Sequence, residues 1–164
     1  MIQLGLVCHV RTKKYCSYKG EKGEAADNLL NREFRAENPN QKWVTGVTEF
    51  RLFGEKLHLS PILDLYSGDI VTYTLSDSPN LLMVTTMLAQ TFAKIPDDTN
   101  LLLHSDQGRH YRHKQYRQRL LKKGIVQSIS HKENCLDNSV MADFFGHLKG
   151  ELLYCKSLNR KRQF

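Results

Sequence analysis

The chain has 164 residues, a net charge of +7, and 40% hydrophobic and 25% charged residues. That is the size of one globular domain, large enough to bury a core. No apolar run approaches the roughly 18 residues of a membrane span, and the opening MIQLGLVCHVRTKK has too short an apolar run and the wrong order of charge for a signal peptide. A cytoplasmic protein is expected. Cys8, Cys16, Cys135 and Cys155 contain no CxxC pair and are read as free thiols. His104, His110 and His113 lack a closely spaced cysteine or carboxylate set and are read as surface and hydrogen-bonding histidines.

The positive charge is clustered. Residues 1–20 hold four Lys or Arg and no acid, and residues 107–132 hold eight, again with no acid. The last nine residues add Lys156, Arg160, Lys161 and Arg162, so these stretches carry 16 of the 24 basic residues. Blocks of one sign suit a polyanion, because each cation placed on a phosphate releases condensed counterions.

Along the chain, residues 1–37 read as a basic leader with turn formers and a short helix near 24–34. KWVTGVTEFRLF (42–53) alternates and is β-branched, which predicts a strand. KLHLSPILDLYS (56–67) predicts a second, with Pro61 at a bulge or edge, and DIVTYTLS (69–76) a third. Short turns between them imply an antiparallel meander. Helical spacing follows over 79–95 behind Ser78-Pro79. NLLLHSD (100–106) is nearly all apolar and ends in polar residues, as expected of a central strand whose carboxyl end meets a site. A basic helix over 111–123 stops at Gly124, a natural C-cap, and IVQSIS (125–130) predicts a fifth strand. Leu136, Val140, Met141, Phe144, Phe145, Leu148, Leu152 and Leu153 form a 3.6-period stripe on a last helix, with Asn134 as its N-cap. The order βββ-α-β-α-β-α predicts an α/β domain with a five-stranded mixed sheet, three antiparallel strands then two parallel, and helices on both faces.

NPNQKWVTGVTEF (38–50), GEKLHLSPILDLYSGDIVTYTLS (54–76), LLHSDQGRHYRHKQY (102–116), QSISHKENCLDNSVM (127–141) and FFGHLKGELLY (144–154) together resemble the retroviral-integrase-like transposases encoded by the second reading frame of bacterial insertion sequences. The resemblance implies an RNase H-like core over 38–155, followed by a basic tail at 156–164. It also implies that Met1 lies inside the family's pre-catalytic linker and that NRKRQF stops short of its C-terminal part.

In that family, three converging carboxylates hold two divalent ions about 4 Å apart for in-line phosphodiester displacement, and Mg2+ or Mn2+ is the implied cofactor. Carried over by position, the second acid is Asp106 of HSDQG. The first falls on Gly46, where the family pattern KWVTDVTEF has Asp, and the third on Ala142, with 35 residues between it and Asp106. Gly46 also interrupts a β-branched strand, where glycine packs nothing. Among neighbours, Asp143 turns about 100° away from the Ala142 direction, and Glu49 lies on the opposite face from Gly46. Asp64 is the best-placed spare acid, although the family does not use it. The expectation is a weak or absent metal site at Asp106 and an inactive member of a family of DNA strand transferases. Further departures are Arg109 for the family's usual Trp, His131 for Arg and Glu133 for Gly, a scatter that suggests relaxed constraint.

The resemblance implies DNA as partner, with Lys149 at the family's DNA-contacting lysine position. The basic helix adds Arg112, Arg119 and Lys123 as candidate contacts. Assembly with itself or with an intact transposase, and a nucleoid-associated location, follow from the same family. The alternatives to a dead core that still binds DNA are a non-enzymatic regulator of an active transposase and an expressed remnant with no selected role.

Overall fold

A computed structural model describes residues 26–52, 55–132 and 134–159. The expectations for the leader before Ala26, for Glu133, for the four thiols, for Leu152 and Leu153, and for the end of the tail lie outside the described residues and side chains.

The elements, in order, are β1 (Lys42–Thr45), β2 (Thr48–Leu52), β3 (Glu55–Asp64), β4 (Ile70–Ser76), α1 (Leu81–Phe92), β5 (Leu102–Ser105), α2 (Lys114–Lys123), β6 (Val126–Ile129), a 3₁₀ segment (Cys135–Asn138) and α3 (Ser139–Asn159). The long β3 takes β1 and β2 along one edge and β4 along the other, all antiparallel. β1 pairs parallel with β5, and β5 with β6. Thr45 stands opposite Ile62 and Thr48 opposite Leu59, three residues apart on both sides, so β1 and β2 share one unbroken register. The strand expected over 42–53 is therefore one column interrupted at Gly46-Val47. Counted so, the sheet has the five columns read from the sequence, three antiparallel and two parallel.

The interruption has a local cause on both strands. Glycine at 46 weakens the ladder, and the shared register puts Pro61, which has no N–H to donate, opposite it. Pro61 is not itself the bulge, because the register shift against β4 falls between Ile62 and Leu63.

Alternation along β1 sends side chains to two cores. Trp43 joins Ile62, Val84, Met87, Leu88, Leu103, Tyr111, Tyr116 and Leu120 beneath α1 and α2. Val44 joins Leu30, Leu63 and Met141 on the other face, with Phe34, Val140, Phe144 and Phe145 packed around them. Helices thus cover both faces, and this is the α/β, RNase H-like arrangement.

Several element ends differ from expectation for identifiable reasons. Asn80 caps α1, its side chain accepting from the Met83 amide at 3.0 Å, so that helix starts after Ser78-Pro79. α2 begins only at Lys114, behind His113, whose Nδ1 accepts from the Gln115 amide, and it ends at Gly124 with φ +72°. Residues 26–34 form no helix: Asn31 and Arg32 take φ values of +46° and +63°, turning the chain into a strap across the α3 face. Asn134 makes no side-chain cap, since the 3₁₀ segment intervenes before α3. Of the apolar stripe on α3, Met141 is buried, while Leu136 is exposed.

Candidate active site

Asp106 follows the last residue of β5 directly. The parallel pairing of β1 with β5 ends at Thr45 opposite Ser105, so Gly46 and Asp106 are the next residues on two adjacent strands. Neighbouring parallel strands lie about 4.8 Å apart, which brings side by side the two positions that the resemblance assigns to the first and second acids. Asp106 reaches solvent, and its Oδ1 accepts from the Gly108 amide at 2.8 Å. Protein atoms crowd the carboxyl and displace water from it, which raises its pKa above the ordinary value; the Gly108 amide works in the opposite direction. Glycine at 108 leaves room for both side chains: a β-carbon there would stand 2.9 Å from Asp106 Oδ1 and from His110 Nε2, so these would have to shift.

The third position arrives on α3. Asn138 Nδ2 donates to the Thr45 carbonyl at 3.3 Å, fixing the helix start beside the end of β1. One turn later come Met141 and Ala142, then Phe145. A β-carbon built on Gly46 would lie 3.1 Å from Phe145 Cε2 and 3.8 Å from Met141 Cε. Ala142 is exposed between these two side chains along the helix. The structure therefore gathers residues 46, 106 and 142 at one end of the sheet, but a phenyl ring and a thioether face Gly46 where a carboxylate pair would be needed.

Behind the site the polar groups are mostly satisfied. His104 is buried, with Nδ1 2.8 Å from Ser128 Oγ and Nε2 3.2 Å from Ser130 Oγ. Ser128 Oγ already accepts from the Leu29 and Leu30 amides, so its proton goes to Nδ1. Nε2–H then donates to Ser130, which donates to the Ser105 carbonyl at 3.1 Å. Burial lowers the His104 pKa to about 4. His110 falls to about 4 as well, from burial and then the charge of Arg109. Tyr111 and Tyr116 pack edge to face at 5.3 Å beneath the site. Burial followed by the charge of Asp106 raises both pKa values, opposed at Tyr111 by the Thr45 and Ser60 side chains, and the Tyr116 hydroxyl is buried without a partner.

The spare acids do not reach the site. Asp64, singled out by its location, stands opposite Trp43, beyond Val44 and Thr45 from the Gly46 end, and its oxygens accept from the Asn40 and Tyr66 amides at 3.1 Å each. It is a buried turn-holding group. Glu49 pairs with Lys56 and His58, and Asp143 is exposed on α3. Among the described residues no group of three or more His, Cys, Asp or Glu could hold a metal ion. The donor set does not fit the pair of hard cations implied by the resemblance.

The candidate DNA contacts are spread out. Arg119 is exposed on α2, together with Lys114 and Lys122. Arg112 is half-buried, its Nε without a partner. Lys123 is mostly buried and paired with Asp97, its ammonium 5.9 Å from the Phe92 ring centroid. Lys149 is half-buried on α3, on the other face of the sheet from α2.

Sequence reasoning missed Asp137. Its side chain is buried and accepts from Arg32 Nε at 2.8 Å, Asn28 Nδ2 at 2.9 Å and the His131 amide at 3.0 Å, with His131 Nδ1 at 2.9 Å. Burial opposes its charge, but the Arg32 and His131 hydrogen bonds outweigh that and hold its carboxyl well below the usual range. The only signal was an acid inside NCLDN.

A mixed sheet with this site end is the catalytic-core architecture of retroviral integrases. Residues 36–135 match the model of the integrase core domain family. The chain is 48% identical over 151 residues to the putative transposase InsK of insertion sequence element IS150 from Escherichia coli, covering 92% of this chain and 53% of that protein. It is also 48% identical over 153 residues to a transposase-like protein of Haemophilus influenzae, covering 93% of this chain and 70% of the relative. Among solved structures, the HTLV-2 integrase catalytic core in complex with magnesium aligns with a TM-score of 0.55 at 18% identity, over 74% of this chain and 78% of that one. An intasome of simian T-cell lymphotropic virus aligns at 0.65 and 19%, over 93% and 51%. The chain belongs to the integrase core domain family, within its insertion-sequence transposases. It spans about half the length of InsK.

Proposed function

We propose that this chain is a DNA-transposition core that has lost strand-cleaving chemistry and keeps a scaffold able to bind DNA. The observation that carries this reading is that Asp106 stands beside Gly46, which Phe145 faces, at the end of the sheet where the resemblance puts the other two acids at Gly46 and Ala142. One carboxylate binds Mg2+ or Mn2+ weakly, since hard cations in such sites rely on several anionic oxygens. Attack and departure of oxygens in a phosphodiester displacement both need charge stabilisation that this site does not supply. DNA binding rests on counterion release at exposed Arg109, Lys114, Arg119 and Lys122, with Arg112 and Lys149 nearer to buried surface. The sheet, both cores and the loop around Asp106 are complete, which also suits a partner of an intact transposase that occupies DNA ends without cutting them.

The test is nicking of supercoiled plasmid by the pure protein in Mg2+ or Mn2+. The reading expects no cleavage above that of Asp106→Asn. Robust nicking abolished by Asp106→Asn would overturn it. Binding as a non-cutting partner is checked by inhibition of an active relative's transposition in vitro.

A further inference from the structure

The strap at 27–34 is anchored beside two of the elements that carry the site, β5 and α3. Its first anchor is β6: the Ile129 amide donates to the Asp27 carbonyl at 3.2 Å, and the Leu29 and Leu30 amides donate to Ser128 Oγ at 2.9 and 3.1 Å. Ser128 in turn holds His104 of β5, two residues before Asp106. The second anchor is Asp137, which binds Asn28 and Arg32 of the strap with a fully buried carboxylate. The next residue, Asn138, donates to Thr45 beside Gly46. Between these anchors Leu30, 1% exposed, packs in one cluster with Val44 of β1, Leu63 of β3 and Met141 of α3. One peptide bond thus separates the group that holds the strap from the group that seats α3 on β1.

We infer that the strap is a latch: its docking through Asp137 and Leu30 and the seating of α3 over the Gly46 end form one coupled two-state element, with Asp137 as its positioning residue. Undocking the strap removes Leu30 from the cluster that holds Met141, and the donors to Asp137 ahead of α3, in the same event. Coupling of this kind is reciprocal, so loosening α3 must loosen the strap to the same extent. Whatever binds or pulls on the chain ahead of residue 27 then acts on the site end of the fold through this element. The inference does not depend on whether the site cleaves DNA.

Hydrogen–deuterium exchange on the full chain tests it, with two variants at the strap end and one at the helix end. Arg32→Ala alters a half-exposed side chain, so the fold survives, and Asp137→Asn keeps the shape while removing the charge. Each is expected to speed exchange about tenfold, the size of one lost charge-assisted hydrogen bond, in residues 28–33 and in residues 139–145 together. Asn138→Ala, which touches only the β1 side, is expected to speed exchange at Leu29 and Leu30 as well. Faster exchange in the strap alone, with α3 unchanged, overturns the latch, as does an unchanged strap in Asn138→Ala. If Asp137→Asn does not fold, Arg32→Ala and Asn138→Ala decide the matter.

Discussion

Phe145 on α3 faces the α-carbon of Gly46 so closely that a β-carbon at residue 46 would stand 3.1 Å from its Cε2. The contact is tight, but the neighbour can yield, because Phe145 is only half-buried. Gly46→Ala also removes a strand glycine, worth roughly 0.5–1 kcal/mol. The expected net effect on stability is therefore between zero and a gain of about 1 kcal/mol, read by urea denaturation. A net loss would mean that Phe145 is fixed over Gly46, and that no acid fits there without moving the helix.

Asp137→Ala removes an acceptor of bonds from Arg32, Asn28 and His131. Charge-assisted bonds at a buried acceptor make a cost of roughly 2–4 kcal/mol the expected outcome. Equilibrium unfolding measures it, and a cost below about 1 kcal/mol would place the hub among ordinary surface contacts.

How far the sequence disclosed these features follows from how local their causes are. Gly124 was legible as a C-cap because a left-handed residue after a helix needs only its own backbone. The weak point at Gly46 was legible because a glycine in a β-branched strand is a local conflict. The strap was misread as helical, since its form depends on partners far along the chain, such as Ser128 and Asp137, about a hundred residues away. For Asp64, the location in an apolar strand was visible in the sequence, but the Asn40 amide that it accepts from was not. The family's acid positions came from resemblance, and the register of Thr45 opposite Ser105 is what brings 46 and 106 together.

Acid should weaken the fold in two windows. His104 and His110 have folded pKa values near 4, below the ordinary 6.5. A depressed folded value means that their contribution is complete above pH 6.5 and is lost as pH falls toward 4. Asp137, held below the usual carboxylate value, contributes above that value and loses its contribution in more acidic solution still. Unfolding free energies at pH 7.0, 5.5 and 4.5 should fall steadily, and His104→Gln should flatten the fall. A pH-independent stability down to 4.5 would contradict the burial of both rings as neutral groups.

Gly124→Ala should be costly. Its φ of +72° disfavours a side chain, and the added β-carbon would stand 2.6 Å from the Asp98 α-carbon. Left-handed strain of about 1–2 kcal/mol plus a backbone collision predicts a loss of at least roughly 2 kcal/mol, seen as a lower Tm.

The basic residues should divide by exposure. Arg119 is free to approach phosphate, whereas Lys123 is mostly buried and paired with Asp97. Arg119→Ala should weaken non-specific DNA binding and reduce the salt slope by about one. Lys123→Ala should leave that slope nearly unchanged. Fluorescence anisotropy across a salt series separates the two, and equal effects would show that the Asp97 pair opens on DNA.

The proposed loss of cleavage requires that Asp106 be left as the one metal ligand at the end of the sheet. Mn2+ titration followed by electron paramagnetic resonance measures that directly, on the chain and on the double variant Gly46→Asp, Ala142→Glu. The predicted result is no saturable binding to the chain below millimolar Mn2+, and Asp106-dependent binding in the double variant. Tight Mn2+ binding by the unaltered chain, abolished by Asp106→Asn, would contradict it.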